Sequence, residues 1–132
     1  MISIDEMETM LDEIAEELPK ELYRELNGGV VLLPQTKMNG YSVASDLYTM
    51  GEYHRSTSMG RYIAIYYGSF ARVYGHLSKE KIKEQLKKTL QHEFTHHLES
   101  LAGTRDLEIE DERQIEEYMR KHRHRGGRYP MP

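Results

Sequence analysis

Residues 78–103 read SKEKIKEQLKKTLQHEFTHHLESLAG and decide the fold of this 132-residue chain. Ser78 is a favourable helix N-cap, and Gly103 stands where a helix C-terminus is expected. Between them one stripe repeats at helical spacing: Ile82, Leu86, Thr89, Leu90, Glu93 and His97. The segment therefore predicts a helix of about 24 residues, roughly 36 Å long, that ends near Gly103.

Shorter elements are predicted on either side of this helix. Ser3 and Glu6 have capping-box spacing, and the apolar periodicity that follows predicts a first helix over Ile4–Leu18, with a further turn or two after Pro19. Val30–Leu33 and Arg61–Tyr67 are rich in β-branched and aromatic residues and predict strands.

The remaining elements complete a single α+β domain. Asp46–Met50 is a further possible strand, and Glu110–His122 predicts a last helix whose apolar face is Ile115, Tyr118 and Met119. We expect one domain over residues 1–122, in which a short mixed sheet packs against the long helix with flanking helices. Residues 123–132 are expected to be a basic, flexible tail.

The composition of the chain limits which metal ligands, cellular location and partners can be expected. The chain has no cysteine, so thiolate metal sites and disulfides are excluded, and any metal must be held by histidine and carboxylate. No run of about 18 apolar residues is present, and the acidic N-terminus lacks the features of a signal peptide. We expect a cytoplasmic protein without membrane contact. The five bases after residue 118 come with no domain-scale basic face, so nucleic acid is not the expected partner.

The long helix contains a candidate metal-binding and catalytic motif, His92-Glu93-Phe94-Thr95-His96. Histidines at i and i+4 lie one turn apart on one side of a helix, where both rings reach a single ion. Glu93 projects beside that pair and can accept a proton from a metal-activated water. The pattern predicts a zinc site on His92 and His96 with Glu93 as general base.

These residues resemble a known family, the small bacterial mini-zincin metallopeptidases, whose signature is HExxHxxGxxD. Residues 92–97 resemble the HExxHH core of that family, and residues 63–68 resemble the strand and glycine that precede it. The resemblance implies a minimal zincin-like fold and zinc-dependent peptide hydrolysis. It also implies that Ile63–Tyr67 is the edge strand that pairs with an extended substrate.

The third metal ligand is where this sequence departs from the family signature. Glu99 stands where the family has glycine, and a Gly-x-x-Asp pattern follows only at residues 103–106. Asp106 is the predicted third ligand if the chain folds back after Gly103. Asp111 and Glu99 remain alternatives.

Other candidate residues surround this core of the site. His97 points away from the metal axis and is expected to pack, and His54 and His76 are expected at the surface. Tyr66, Tyr67 and Tyr118 are candidates to stabilise an oxyanion, and the methionines that could form an apolar floor are Met50, Met59 and Met119.

Two functions follow from the sequence. The first is a zinc metallopeptidase, a hydrolase that acts on a peptide or protein substrate. The alternative is a non-catalytic module in which zinc stabilises the fold and the chain recruits a protein or nucleic-acid partner. A metal fully enclosed by protein ligands would favour the module, because catalysis requires an open coordination position.

Overall fold

The computed structural model describes residues 1–39 and 47–121, with side chains described only as far as residue 103. The elements in chain order are α1 (Ile4–Glu17), a 3₁₀ helix (Lys20–Tyr23), β1 (Gly29–Leu33), β2 (Lys37–Met38), β3 (Tyr48–Thr49), β4 (Gly51–Ser56), β5 (Gly60–Tyr66), α2 (Tyr67–Tyr74) and α3 (Lys79–Lys121). The predicted α+β class is confirmed. Every helix in the described part of the chain is too short or too polar to cross a membrane.

Helix α1 begins as the sequence predicts. The Ser3 hydroxyl accepts from the Glu6 amide at 3.1 Å, and the Glu6 carboxylate accepts from the Ser3 amide at 2.9 Å, so both halves of the capping box are formed. Met7, Leu11 and Ile14 are buried on the face that packs against the rest of the core. The helix ends before Pro19, whose ring is incompatible with a helix interior.

Three ion pairs join α1 to α3. Lysines spaced four residues apart on α3 lie opposite glutamates of α1, with N–O distances of 2.8 to 3.3 Å: Lys79–Glu6, Lys83–Glu13 and Lys87–Glu17. These pairs are partly exposed and each contributes little free energy. Their regular spacing shows which side of α3 faces α1.

The three-stranded sheet has the order β1-β5-β4, with β1 parallel and β4 antiparallel to β5. Tyr53 of β4 lies opposite Ile63 of β5, and Ile63 and Ile65 are fully buried. These side chains share one face of the sheet because alternate residues of a strand point the same way. That face packs against Leu86, Leu90 and Phe94 in the hydrophobic core.

The predicted position of the substrate strand was wrong. We predicted residues 63–67 as an edge, but β5 is the central strand, with its backbone groups bonded to β1 on one side and β4 on the other. A strand paired on both sides cannot accept a third strand. Among the strands that the structure describes, β4 is the edge nearest to α3.

The prediction that the long helix ends at Gly103 was also wrong. Helix α3 runs unbroken from Lys79 to Lys121, so the helix predicted over Glu110–His122 is its continuation as far as residue 121. Gly103 does not have the positive φ of a C-terminal cap. Glycine inside a helix costs about 1 kcal/mol relative to alanine, and the strong helix formers in residues 107–121 offset that cost. The side chains of Ile115, Tyr118 and Met119, and all of residues 122–132, lie outside the described part.

Candidate metal and catalytic site

His92 and His96 converge on one point. Their Nε2 atoms are 3.1 Å apart, and the two rings stand almost perpendicular at 85° with centroids 4.6 Å apart. Two nitrogen ligands of a tetrahedral zinc ion, each about 2.0–2.1 Å from the metal, are about 3.3 Å apart. The helix therefore holds the two imidazoles at a separation that suits one shared ion.

Glu99 is bound to the far side of the His96 ring. One of its carboxylate oxygens lies 3.2 Å from His96 Nδ1, three residues away along the helix. A carboxylate at this position accepts the Nδ1 proton and leaves the lone pair on Nε2 available. We therefore assign Glu99 the role of orienting the His96 ring. This differs from the sequence analysis, in which Glu99 was an alternative third metal ligand.

Glu93 is buried beside the two histidines, with only 6% of its surface exposed. Burial raises the pKa of its carboxyl above the ordinary value, and the nearby Glu52 charge adds to the rise, whereas His92 and His96 oppose it. A carboxyl with a raised pKa is a stronger base when ionised, which suits a group that takes a proton during catalysis.

A cleft of about 390 Å³ opens in front of Glu93 and His92. One wall is α3, which contributes Lys88, Thr89, His92 and Glu93, and the other is the segment from Tyr48 to Gly51, together with Asn39. Met50 lines this cleft, as one of the three methionines proposed for its floor, whereas Met59 is not among the described lining residues. A Cβ atom on Gly51 would lie 3.0 Å from the Thr89 methyl group, so the two walls touch at this point.

His97 holds α3 against two other parts of the core. It is fully buried, its Nε2 lies 2.8 Å from the Arg24 carbonyl oxygen, and its Nδ1 lies 2.7 Å from the Tyr53 hydroxyl. Because a carbonyl can only accept, Nε2 carries the proton and Tyr53 donates to Nδ1. Burial lowers the pKa of His97, which favours this neutral ring. The prediction that His97 packs rather than binds metal is consistent with this arrangement.

The His97 contact gives a first prediction. Replacing Tyr53 with Phe leaves His97 Nδ1 buried without a donor, so we expect the free energy of unfolding to fall by about 1–3 kcal/mol. Urea denaturation measures this. The control is Tyr74→Phe, because Tyr74 also packs on the core and its hydroxyl makes no hydrogen bond to another described residue. Equal stability of the two variants would contradict the role given to Tyr53.

A second polar cluster lies next to the site on the other face of β4. One Glu52 oxygen accepts from Lys37 Nζ at 2.6 Å and from the Tyr66 hydroxyl at 2.7 Å, and lies 3.1 Å from His54 Nε2. Burial raises the pKa of Glu52, but the hydrogen bonds from Lys37 and Tyr66 outweigh it, and the pKa is lowered overall. His54 also stacks on Tyr62. His54 is thus part of a network, not the ordinary surface histidine predicted.

Two of the tyrosines predicted as candidates to stabilise an oxyanion use their hydroxyl groups elsewhere in the fold. The Tyr66 hydroxyl donates to Glu52, and the Tyr67 hydroxyl donates to the Ile2 carbonyl oxygen, so both already have acceptors within the fold. Tyr118 has no described side chain. Tyr48 is the tyrosine that lines the cleft. The sequence did not predict this position, because Tyr48 lies in a segment without clear periodicity.

The third ligand is not supplied by any described side chain. Among residues whose side chains are described, no group of three His, Asp or Glu residues could hold a metal ion. In an unbroken helix Asp106 lies about 15 Å further along the axis than His96, so the fold-back that would bring it to the pair is not formed. The side chains of Asp106 and Asp111 lie outside the described part, and their role as ligands stays a prediction.

Comparison with solved structures identifies a relative of this chain. The chain is similar to the solved structure of a conserved hypothetical protein from Thermus thermophilus, with 32% sequence identity and a TM-score of 0.64. The similarity covers 77% of this chain and 99% of that protein. This chain therefore belongs to the same protein family as the Thermus protein. No family model matches the sequence, and a search of curated proteins gives no match.

Proposed function

We propose that this protein is a zinc-dependent metallopeptidase of the mini-zincin type. The observation that carries the proposal is the 3.1 Å separation of His92 and His96 Nε2 atoms beside the buried Glu93 carboxyl. His92 and His96 would hold the ion, whereas Asp106 or Asp111 could serve as the third ligand only in a form of the chain in which α3 breaks and folds back after Gly103. Zinc bound there would polarise the scissile carbonyl and lower the pKa of water.

Other residues near the two histidines would transfer the proton, orient His96 and hold the helix in place. Glu93 faces the cleft next to His92, where it can take a proton from the attacking water and deliver it to the leaving amine. Glu99 keeps the His96 ring in the tautomer that presents Nε2. His97 and Tyr53 anchor the helix so that these groups stay in register with the cleft.

The sheet edge beside the cleft supports a peptide as substrate. Strand β4 pairs only with β5 among the described strands, and its Gly51 end borders the cleft. An extended peptide that lies along this edge would have its backbone groups satisfied and its carbonyl close to Glu93. We therefore assign substrate binding to β4 in place of β5.

The proposed function is tested with a library of quenched fluorescent peptides and protein loaded with one zinc per chain. We expect cleavage that stops with a chelator and returns when zinc is restored. Stoichiometric zinc without cleavage of any peptide would contradict the enzyme and favour the zinc-stabilised binding module.

The orientation of His96 gives a further prediction. Replacing Glu99 with Gln removes the carboxylate from Nδ1, so we expect zinc affinity to fall about 10- to 100-fold. Competition with a chromophoric chelator measures the change. Glu84→Gln removes the same charge from an exposed site on the same helix and should leave the affinity unaltered. An unchanged affinity in Glu99→Gln would contradict the orienting role.

A further inference from the structure

Lys88 differs from the three lysines of α3 that face α1. Lys79, Lys83 and Lys87 each contact a glutamate of α1, whereas Lys88 is turned to the cleft. Among the side chains that the structure describes, Lys88 has no ion pair or hydrogen bond. The cleft therefore contains a cation without a counter-ion from the described residues.

The position of Lys88 relates it to the bond that would be cleaved. It lies one helical turn before His92 on the same face, about 6 Å along the axis. An extended peptide advances about 3.3 Å per residue, so for a peptide that runs parallel to α3 this offset corresponds to about two residues. A group held by Lys88 would thus lie within about two residues of the bond presented to His92 and Glu93.

The other described residues that line the cleft do not neutralise the positive charge of Lys88. Asn39, Tyr48 and Thr49 are polar and neutral, and the acid in the lining is Glu93, which the proposed function reserves for proton transfer. A carboxylate on the ligand would complement Lys88 through a charge-assisted hydrogen bond, which is stronger than a bond between neutral groups.

We propose that Lys88 makes this cleft selective for peptides that carry a carboxylate within two residues of the cleaved bond. The position of the carboxylate relative to a cleaved bond rests on the proposed function, whereas the binding preference for a carboxylate does not. The carboxylate comes either from an acidic side chain or from a free C-terminus, and the chemistry recognised by the lysine is the same.

The test compares four peptides of one sequence, and two of them carry a carboxylate. One is neutral and amidated, one is neutral with a free C-terminus, one is amidated with a single Glu, and one is amidated with a single Lys. Their binding is measured by fluorescence anisotropy in the presence of a chelator, so that no carboxylate can bind zinc. Cleavage by zinc-loaded protein gives kcat/KM for the same set.

We expect wild-type protein to bind at least one carboxylate peptide about tenfold more tightly than the neutral one, and Lys88→Gln to lose that preference. Whichever of the two carboxylate peptides is preferred identifies the source. The control Lys87→Gln removes the same charge from the α1 side and should keep the preference. Equal binding of all four peptides, or an undiminished preference in Lys88→Gln, would overturn the inference.

The two proposals fail separately in this experiment. A binding preference that depends on Lys88, without cleavage of any peptide, would retain the carboxylate site and remove the peptidase. Cleavage of all four peptides with equal kcat/KM would retain the peptidase and remove the carboxylate site.

Discussion

Replacement of either His92 or His96 by alanine is expected to abolish stoichiometric zinc retention. Each residue supplies one of the two Nε2 atoms that lie 3.1 Å apart, and a single imidazole on a helix surface binds zinc weakly. The loss should exceed the 10- to 100-fold effect of removing an outer partner such as Glu99. Elemental analysis after zinc loading and desalting measures it.

The matched control for this pair is His76→Ala, since His76 is exposed and precedes α3. It should retain one zinc per chain. Retention of one zinc in both His92→Ala and His96→Ala would place the metal elsewhere in the chain and would contradict the site.

Replacement of Glu93 by Gln is expected to keep zinc and to lower kcat by about 100- to 10,000-fold. The amide is nearly the same size as the carboxylate, so the buried position stays filled, but it cannot accept a proton at neutral pH. Peptide cleavage and zinc content are measured on the same preparation.

Glu84→Gln is the control for Glu93, because it changes one exposed glutamate on the same helix to glutamine. It should leave kcat unchanged. Full activity of Glu93→Gln would contradict its role as base, and loss of zinc from that variant would indicate that Glu93 holds the metal instead.

Elements with a strong local signal could be predicted from the sequence. The capping box of Ser3 and Glu6 and the apolar repeat after it place α1 to within a residue, and Ser78 marks the start of α3. In both cases the pattern and the cap are contained within one short segment. Strand β1 likewise follows from its run of β-branched residues.

Elements whose stability comes from distant partners could not be predicted in the same way. Strand β4 carries Glu52, His54 and Arg55, which resemble a loop, and its pairing with β5 is what makes it a strand. Helix α2 begins at Tyr67 without a side-chain cap, in residues that favour strands. Gly68 is tightly packed there, because a Cβ atom at this position would collide with the Thr36 hydroxyl oxygen.

In the candidate site, too, the residues close together in sequence could be predicted, whereas those that depend on packing between distant segments could not. His92, Glu93 and His96 come from one helical turn, so their spacing alone predicts how they converge. Lys88 is adjacent in sequence to Lys87, yet only the packing of α1 shows that one lysine is paired and the other faces the cleft. The role of Glu52 depends on a contact between β2, β4 and β5 that no local pattern contains.

The central claim is that one zinc ion is held by His92 and His96, with Glu93 next to it and one coordination position open to solvent. An anomalous difference map at the zinc edge, from crystals of the zinc-loaded protein, tests this most directly. We predict one peak about 2.0–2.1 Å from both Nε2 atoms, with Glu93 near the ion but not bound to it and one coordination position left to solvent. A map without a peak between these two histidines, or with the ion enclosed by four protein ligands, would contradict it.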